Sequence, residues 1–417
     1  MRKLNKLVFF SALCSLTLLT GCGEAAQQVE TVAESAEENT EEEIQLVEHS
    51  KDIPEWENTA KIGITSREKY LLAHLANGKN ACISPAGLYA CLDLARCGAA
   101  GNTLSQIDSY LGTRPYDISS DTVLTANYGL FRDKSEIGSA PKDSFKSALI
   151  DKGTSLMEIK RASASKRVVA LNKEIETFTH GQITDAIRED YVTRDDFVAC
   201  LANVIYFNAT WDNEDGYEVQ NNYEFRTASG KTVKCDALDI YNGTYFSTSN
   251  VQGFQIPYKE EDQRYTFYAF LPMEEGEFDY ENLDLTDFEF PDVNSYDLVV
   301  HMPKFEFSNE YEMAGTLASA GLSDLFDPSL CDMSNGFDIP AGKNVYFSNV
   351  VQKTKVKLDE KGTEASAVTS MYMMEAACAL EQKEEITLDF NRPFLWMIYD
   401  AVADVPLFVG QICNPNE

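Results

Sequence analysis

Positive charge is scarce in this sequence. Lys and Arg together number 35 against 67 Asp and Glu, and the formal net charge is −32. A chain of that sign is repelled by nucleic acid and by heparin-type polyanions, so we expect neither as a partner. The one basic cluster, Lys160, Arg161, Lys166 and Arg167, is interpreted as a solvated face.

Motifs of known catalytic sites are missing as well. The four histidines, His49, His74, His180 and His301, lie in no HExxH motif, and we find no nucleophile elbow, P-loop or paired-carboxylate pattern. The ten cysteines show neither a C-x-x-C pair nor a metal-ligand spacing. We therefore predict that the protein is not an enzyme and has no catalytic residues, no metal site and no cofactor. An enzyme is the rival interpretation, which labelling by an active-site serine probe would support.

The N-terminus is predicted to direct the chain to a membrane. A basic start followed by an apolar run over residues 7–19 is typical of an export signal. The run ends in Leu-Thr-Gly-Cys, which matches the bacterial lipobox, so we predict a signal peptide over residues 1–21 and lipidation of Cys22. Acyl chains on Cys22 would anchor an exported protein to the cell membrane with its domain facing outside. A plain signal peptide or a short anchor is the alternative.

Residues 22–57 are predicted to be a disordered tether. Beyond Cys22 this stretch holds twelve acidic residues and one basic residue, Lys51. Such a composition cannot bury enough apolar surface to fold, and its like charges extend the chain. We expect the tether to hold the domain away from the membrane.

The remaining residues, 58–417, are predicted to form one large domain, because no second linker and no repeat divides them. Helical spacing and strand-like apolar runs mix without strict alternation, which favours an α+β fold with large sheets. The predicted helices cover 86–94, 103–111 and 172–187, and the predicted strands cover 197–207, 265–271, 298–305, 345–358 and 387–399. The eight cysteines of this domain are interpreted mostly as buried free thiols.

The segment after residue 358 has an unusual composition. Residues 359–362, Asp-Glu-Lys-Gly, predict a turn. Over residues 363–370 no side chain is large, none is proline and only Glu364 is charged. In an extended chain, alternate residues share a face that is small and uncharged at first and then apolar. That face comprises Thr363, Ala365, Ala367, Thr369, Met371 and Met373. Such a segment can lie outside the domain or enter a sheet without burying a charge; a flexible surface loop is the alternative.

The turn and the segment after it resemble the hinge of the serpin family, Glu-x-Gly-Thr-x-Ala-x-Ala-x-Thr. The residues that carry this resemblance are Glu360, Gly362, Thr363, Ala365, Ala367 and Thr369. Seven further stretches match family motifs in the family's order, at residues 80–88, 98–107, 126–131, 203–211, 303–305, 391–394 and 406–410. The resemblance implies a serpin fold with about three β-sheets, eight or nine helices and an exposed reactive-centre loop over about residues 360–386.

The resemblance also implies two polar clusters. The family places one hydrogen-bonded set beneath its central sheet, where strands part to admit the loop. The matching positions are Ser84, Gly87, Asn203 and Gln352. Family members usually have Ser at the second position and His at the fourth, so we expect a smaller network here; a core network with no gating role is the alternative. The second set is a glutamate–lysine pair covered by tryptophan where the loop enters, and it matches Glu360, Lys304 and Trp211.

The function that the resemblance implies is inhibition of serine endopeptidases by a monomer. A protease cleaves the exposed loop, and the freed hinge inserts as a new central strand before the acyl-enzyme is hydrolysed. Counting from the hinge glutamate places the cut between Ala376 and Ala377, whereas counting back from Pro393 gives Gln382. We adopt the hinge count because inserted length must match sheet length. Small residues at the cut favour an elastase-like target, and no Lys or Arg lies between residues 361 and 383 to suit a trypsin-like one.

A rival function within the family is that of a non-inhibitory serpin, which acts as a binding or scaffold protein. Such members usually carry charged, bulky or proline residues in the hinge. Here the hinge departs only mildly, with Val368 where Ala or Gly is common. We therefore favour the inhibitor.

Overall fold

The computed structural model describes residues 62–112, 118, 120, 122–212, 217–259, 264–276, 278–363 and 383–417. The predictions for the signal peptide, Cys22 and the tether lie outside these residues. So do those for Ala365, Ala367, Thr369, Ala376 and Ala377. The described residues form one domain of helices and several β-sheets, which confirms the predicted α+β class.

The α-helices include two of the three that the sequence predicts, those over 86–94 and 103–111. Within the described ranges they are α1 (Ser66–Leu75), α2 (Pro85–Arg96), α3 (Gly101–Leu111), α4 (Asp143–Asp151), α5 (Ala164–Phe178), α6 (Glu189–Val192), α7 (Ala314–Leu317) and α8 (Ser323–Phe326). Helix α2 begins at a capping serine: Ser84 Oγ accepts a hydrogen bond from the backbone N–H of Gly87 at 3.2 Å, and Pro85 takes the first helical position.

The predicted helix over 172–187 is wrong in both bounds. Helix α5 ends at Phe178 because His180 and Gly181 have φ angles of 51° and 85°, outside the right-handed helical region. Its true start at Ala164 is eight residues earlier than the prediction placed it.

The strands are short and numerous. In the part of the chain that is described they are β1 (Ala81–Ile83), β2 (Val123–Arg132), β3 (Ala140–Pro141), β4 (Thr154–Ile159), β5 (Ala199–Phe207), β6 (Ala209–Thr210), β7 (Tyr217–Arg226), β8 (Thr232–Ile240), β9 (Thr244–Ser247), β10 (Val251–Pro257), β11 (Tyr265–Pro272), β12 (Tyr296–Pro303), β13 (Phe305–Glu312), β14 (Phe337–Asp338), β15 (Val351–Asp359), β16 (Gly362–Thr363), β17 (Glu384–Asp389), β18 (Phe394–Asp400) and β19 (Val405–Ile412).

Two predicted strands need correction. The run over 387–399 is two strands, β17 and β18, which belong to different sheets and are separated by residues 390–393. The run over 345–358 begins as a strand only at Val351. Before it, the side chain of Asn349 accepts hydrogen bonds from the backbone N–H groups of Val350 and Ala314. These N–H groups therefore bond to a side chain and not to the backbone of a neighbouring strand.

The strands of the described residues group into five sheets. Their orders are β1-β19-β18-β11-β10-β9, β17-β12-β8-β7, β13-β15-β16-β6, β4-β2-β5 and β14-β3. The six-stranded sheet forms much of the core, because every residue of β18 and β19 is buried. Strand β6 follows β5 after the single residue Asn208, so the chain itself joins the sheet that contains β15 to the sheet that contains β5.

Candidate functional site

A cavity of about 340 Å³ lies between strands β5 and β15. Helix α2 lines its inner side through residues such as Gly87, and residues 183–194 line its outer side. The two side walls are residues 199–205 of β5 and residues 344–354, which lead into β15. Strands β5 and β15 are not paired with each other, so each has a free backbone edge towards the cavity.

Strand β16 closes one end of this space, which we call its upper end. Gly362 and Thr363 pair antiparallel with the strands on both sides. Their partners are Leu358 and Asp359 of β15, and Ala209 and Thr210 of β6. Because β6 continues β5, β16 lies between the two strands that the cavity separates below. A second cavity of about 30 Å³ borders Thr363 and Lys355.

The backbone at residue 362 requires glycine. Its φ is +136°, and a Cβ atom there would lie 2.2 Å from the carbonyl oxygen of Ala209. The next residue, Thr363, is buried, and its hydroxyl is 2.7 Å from the hydroxyl of Tyr258. Burial raises the pKa of Tyr258 far above its ordinary value, so the phenol stays protonated for this hydrogen bond.

Ser84 and Gln352 join the start of α2 to β15. Gln352 Oε1 accepts from the backbone N–H of Ser84 at 2.9 Å, and Gln352 Nε2 donates to the backbone oxygen of Ser84 at 2.8 Å. Ser84 Oγ donates to the backbone oxygen of Leu407 at 2.7 Å and accepts from Gly87. Three residues of the first expected cluster, Ser84, Gly87 and Gln352, therefore lie in one hydrogen-bonded group.

Asn203, the fourth residue of that cluster, has other partners. Its Nδ2 donates to Asn127 Oδ1 at 2.8 Å and to Thr125 Oγ1 at 3.0 Å, both on β2. Its buried Oδ1 has no hydrogen-bond donor among the described residues, and it lies 3.2 Å from where a Cβ of residue 87 would be. Because Gly87 has no side chain, an acceptor at the wall of the cavity is left for a group that enters it.

We expect Gln352→Ala to lower the free energy of unfolding by about 2 kcal/mol, because two hydrogen bonds are lost and the backbone N–H of Ser84 is left without its acceptor, whereas the backbone oxygen of Ser84 keeps its bond from the N–H of Leu88. Urea denaturation of the uncut protein measures this change. Lys355→Ala is the control, because Lys355 lies on the same strand but forms a partly exposed ion pair with Glu306 at 3.1 Å. A Gln352→Ala variant as stable as the control would contradict the assignment.

Lys304, Glu360 and Trp211 lie together at the turn before β16. Lys304 Nζ is 3.3 Å from Glu360 Oε2. Burial alone would raise the pKa of Glu360, but its backbone N–H and the Lys304 ammonium hold that pKa below the ordinary value. Trp211 is buried, donates from Nε1 to the backbone oxygen of Asp359 at 3.0 Å and stacks on Tyr258 with ring centroids 4.8 Å apart. The indole thus fixes the turn through its backbone.

Tyr258 and Thr125 are site residues that the sequence analysis missed. Tyr258 lies in a run of ordinary strand residues, and nothing in the sequence marks it as the partner of Thr363. Thr125 and Asn127 could have been found, because alternate residues of a strand share a face and residue 127 is in a matched stretch.

The described residues hold free cysteines, and they form neither a metal-binding cluster nor a membrane-spanning helix. The seven described cysteines are all unpaired, and burial raises the pKa of Cys82 and Cys200 to about 12. Among the described residues no cluster of His, Cys, Asp and Glu could hold a metal ion. No helix in those same ranges is long and apolar enough to cross a membrane.

Comparison with known proteins identifies the family. The profile described as Serpin (serine protease inhibitor) matches residues 69–415. Serpin-Z4 of Arabidopsis thaliana is 26% identical over 385 residues, which cover 84% of this chain and 95% of that protein. Serine proteinase inhibitor 2 of Variola virus is 26% identical over 355 residues, which cover 83% of this chain and 98% of that protein.

A solved structure gives the same result. The native state of the thermophilic serpin Tengpin superposes with a TM-score of 0.70 at 25% identity, and the match covers 86% of this chain and 93% of that one. The fold, the order of the sequence motifs and the family profile agree over almost the whole domain. This chain belongs to the serpin family.

Proposed function

We propose that this serpin inhibits elastase-like serine endopeptidases as a suicide substrate, with insertion of its reactive-centre loop between β5 and β15. The observation that carries the proposal is the cavity between these strands, whose upper end already holds Gly362 and Thr363 in antiparallel pairing. A strand that continues from Thr363 has an open path with a free backbone edge on each side.

The register of β16 fixes where each inserted residue would lie. If that register continued downwards, the hinge residues would lie one by one between the two walls. In the inserted state Ala365 would lie between Phe207 and Val356, Ala367 between Ile205 and Thr354, and Thr369 between Asn203 and Gln352. These three hinge residues share one face in the sequence pattern. Their neighbours on β5 and β15 point to the inner side of the sheet. The Thr369 hydroxyl is then a candidate donor to the unsatisfied Asn203 Oδ1.

The one charge of the inserting segment falls on the outer side. In the same register Glu364 would lie opposite Lys357, which is partly exposed and paired with Asp359 at 3.1 Å. Oppositely charged residues at facing positions of an antiparallel pair attract each other. Glu364 can therefore enter the sheet without losing contact with water or with a cation.

The energy available is large enough to trap a protease. Residues 364–373 would face residues 199–208, so about ten residues gain ladder bonds on two sides. At a net ~1 kcal/mol for each bond, with burial of the methyl and methionine face added, insertion yields on the order of 10–20 kcal/mol before strain and ordering costs. This free energy is sufficient to deform the trapped protease, whose catalytic site works only when its reacting atoms are accurately placed.

The covalent step is supplied by the protease. Its serine attacks the carbonyl carbon of Ala376, the peptide bond to Ala377 breaks, and the amine of Ala377 leaves with a proton from the catalytic histidine. The segment up to Ala376 is then esterified to the protease and free to insert. Insertion before hydrolysis of the ester gives a trapped complex, whereas hydrolysis first gives cleaved serpin and free protease.

We further propose that the mature protein is a lipid-anchored monomer on the outer face of the cell membrane. The support is sequence alone: the lipobox at residues 19–22 and the acidic stretch over residues 23–57. An anchored inhibitor would act on proteases that approach the cell surface. Neither nucleic acid nor a heparin-type polyanion is proposed as a partner, given the net charge of −32.

Incubation with pancreatic elastase tests the proposed inhibition. We expect a protease–serpin complex that survives SDS, and a released C-terminal peptide whose mass places the cut between Ala376 and Ala377. Trypsin is the control, because the loop offers it no Lys or Arg between residues 361 and 383. Complete cleavage by elastase without any SDS-stable complex would contradict inhibition and would favour the non-inhibitory serpin.

A further inference from the structure

Residues 183–194 cover the lower end of the cavity on its outer side. We call this segment, which includes α6, the cover. It lies opposite α2, so the space between β5 and β15 is enclosed there by a helix on one side and by the cover on the other. How the cover is fastened differs between its two sides.

On the β5 side the cover is held by buried hydrogen bonds. The backbone N–H and oxygen of Ile187 each bond to the side-chain amide of Asn172 on α5 at 2.9 Å. Arg132 of β2 is 2% exposed, and its Nη2 donates to the backbone oxygens of Val192 at 2.9 Å and Arg194 at 2.8 Å. Buried bonds of this kind are costly to break, because the freed groups lose their partners away from water.

On the β13 side the cover is held by partly exposed contacts. Arg188 reaches across β15, and its Nη1 lies 3.2 Å from Glu310 Oε1 and 3.3 Å from Glu312 Oε1 on β13. The Tyr191 hydroxyl accepts from Asn349 Nδ2 at 3.3 Å. We call these five residues the clasp. Ion pairs with this exposure are weak and are screened by salt, so the clasp is the side that opens more easily.

Full insertion requires an opening. A strand that carries a folded protease at its end cannot be threaded lengthwise through an enclosed channel, so it has to be laid in from the outer side. This step rests on the proposed function. Because the cover has to give way during insertion, we propose that Arg188, through its ion pairs with Glu310 and Glu312, is a positioning residue that sets the insertion rate.

The rate of insertion in clasp variants tests this role. We expect Arg188→Gln and the double variant Glu310→Gln/Glu312→Gln to gain heat resistance about fivefold faster after loop cleavage, the effect of an ion-pair network near 1 kcal/mol. Arg161→Gln is the matched control, because Arg161 pairs with Asp195 just beyond the cover on its α5 side, without crossing the cavity. High salt is expected to speed the unmodified protein and to leave Arg188→Gln unchanged. Equal rates in all variants would overturn the proposal.

Hydrogen exchange separates this proposal from the proposed function. In the intact protein, amide protons over residues 187–192 are expected to exchange faster in Arg188→Gln than in Arg161→Gln or the unmodified protein, whether or not the loop inserts. Unchanged exchange would overturn the clasp. If the unmodified protein gains no heat resistance after cleavage, inhibition by insertion fails, and the exchange rates still decide the clasp.

Discussion

Replacing Thr363 with Arg is expected to turn the protein from an inhibitor of elastase into a substrate. Thr363 is 5% exposed, pairs with Leu358 and Ala209 and bonds to Tyr258. A guanidinium buried there without a partner costs several kcal/mol, so β16 is displaced and the strand has no paired start. We expect SDS-stable complexes to fall by about tenfold or more, measured by gel densitometry at equal amounts of elastase.

Thr363→Ser is the matched control. It keeps the hydroxyl that bonds to Tyr258 and is expected to form complexes as the unmodified protein does. A melting curve of each uncut variant shows whether the domain remains folded. An Arg variant that is folded and forms as many complexes as the Ser variant would refute insertion through this position.

Cleavage of the loop in the unmodified protein is expected to raise the Tm by about 15 °C or more. The inserted strand supplies on the order of 10 kcal/mol or more, and each kcal/mol shifts the Tm of a domain of this size by about 1.5 °C. Calorimetry of the protein before and after limited proteolysis in the loop measures the shift. A protease that forms no complex is the better tool, because it yields cleaved serpin alone.

The same measurement distinguishes the two functions within the family. A non-inhibitory serpin whose loop stays outside after cleavage is expected to melt within a few degrees of the uncut protein. Cleaved Thr363→Arg is the internal comparison and should show little of the gain. A large gain in both proteins would mean that stabilisation comes from somewhere other than the space below β16.

The sequence predicted those features of this fold that depend on local pattern. Alternation in the hinge places Thr363 on the face that the structure buries, and the Ser84-Pro85 pair predicts the start of α2. The turn that ends at Gly362 is likewise predictable, because a backbone with φ of +136° needs glycine. In each case a residue and its neighbours in sequence are sufficient to decide the structure.

Features that depend on contacts between distant segments could not be predicted. Asn203 was expected to join Ser84 and Gln352, but it bonds to Thr125 and Asn127, because neighbouring strands offer it partners and Gly87 does not. The clasp joins residues more than a hundred positions apart, and nothing near Arg188 in the sequence points to Glu310. The end of α5 was missed because His180 takes a conformation that is uncommon for residues other than glycine.

The short pairing of Gly362 and Thr363 has a kinetic consequence. The first contacts of a new strand are the slowest to form, because the chain loses conformational entropy before many hydrogen bonds have formed to offset that loss. Here folding has already made that nucleus, in a single register that the close approach of Gly362 to Ala209 fixes. If the loop inserts as proposed, growth from Thr363 would add one residue after another, with no search for alignment. In the proposed mechanism, this prearranged start would help insertion to outrun hydrolysis of the ester.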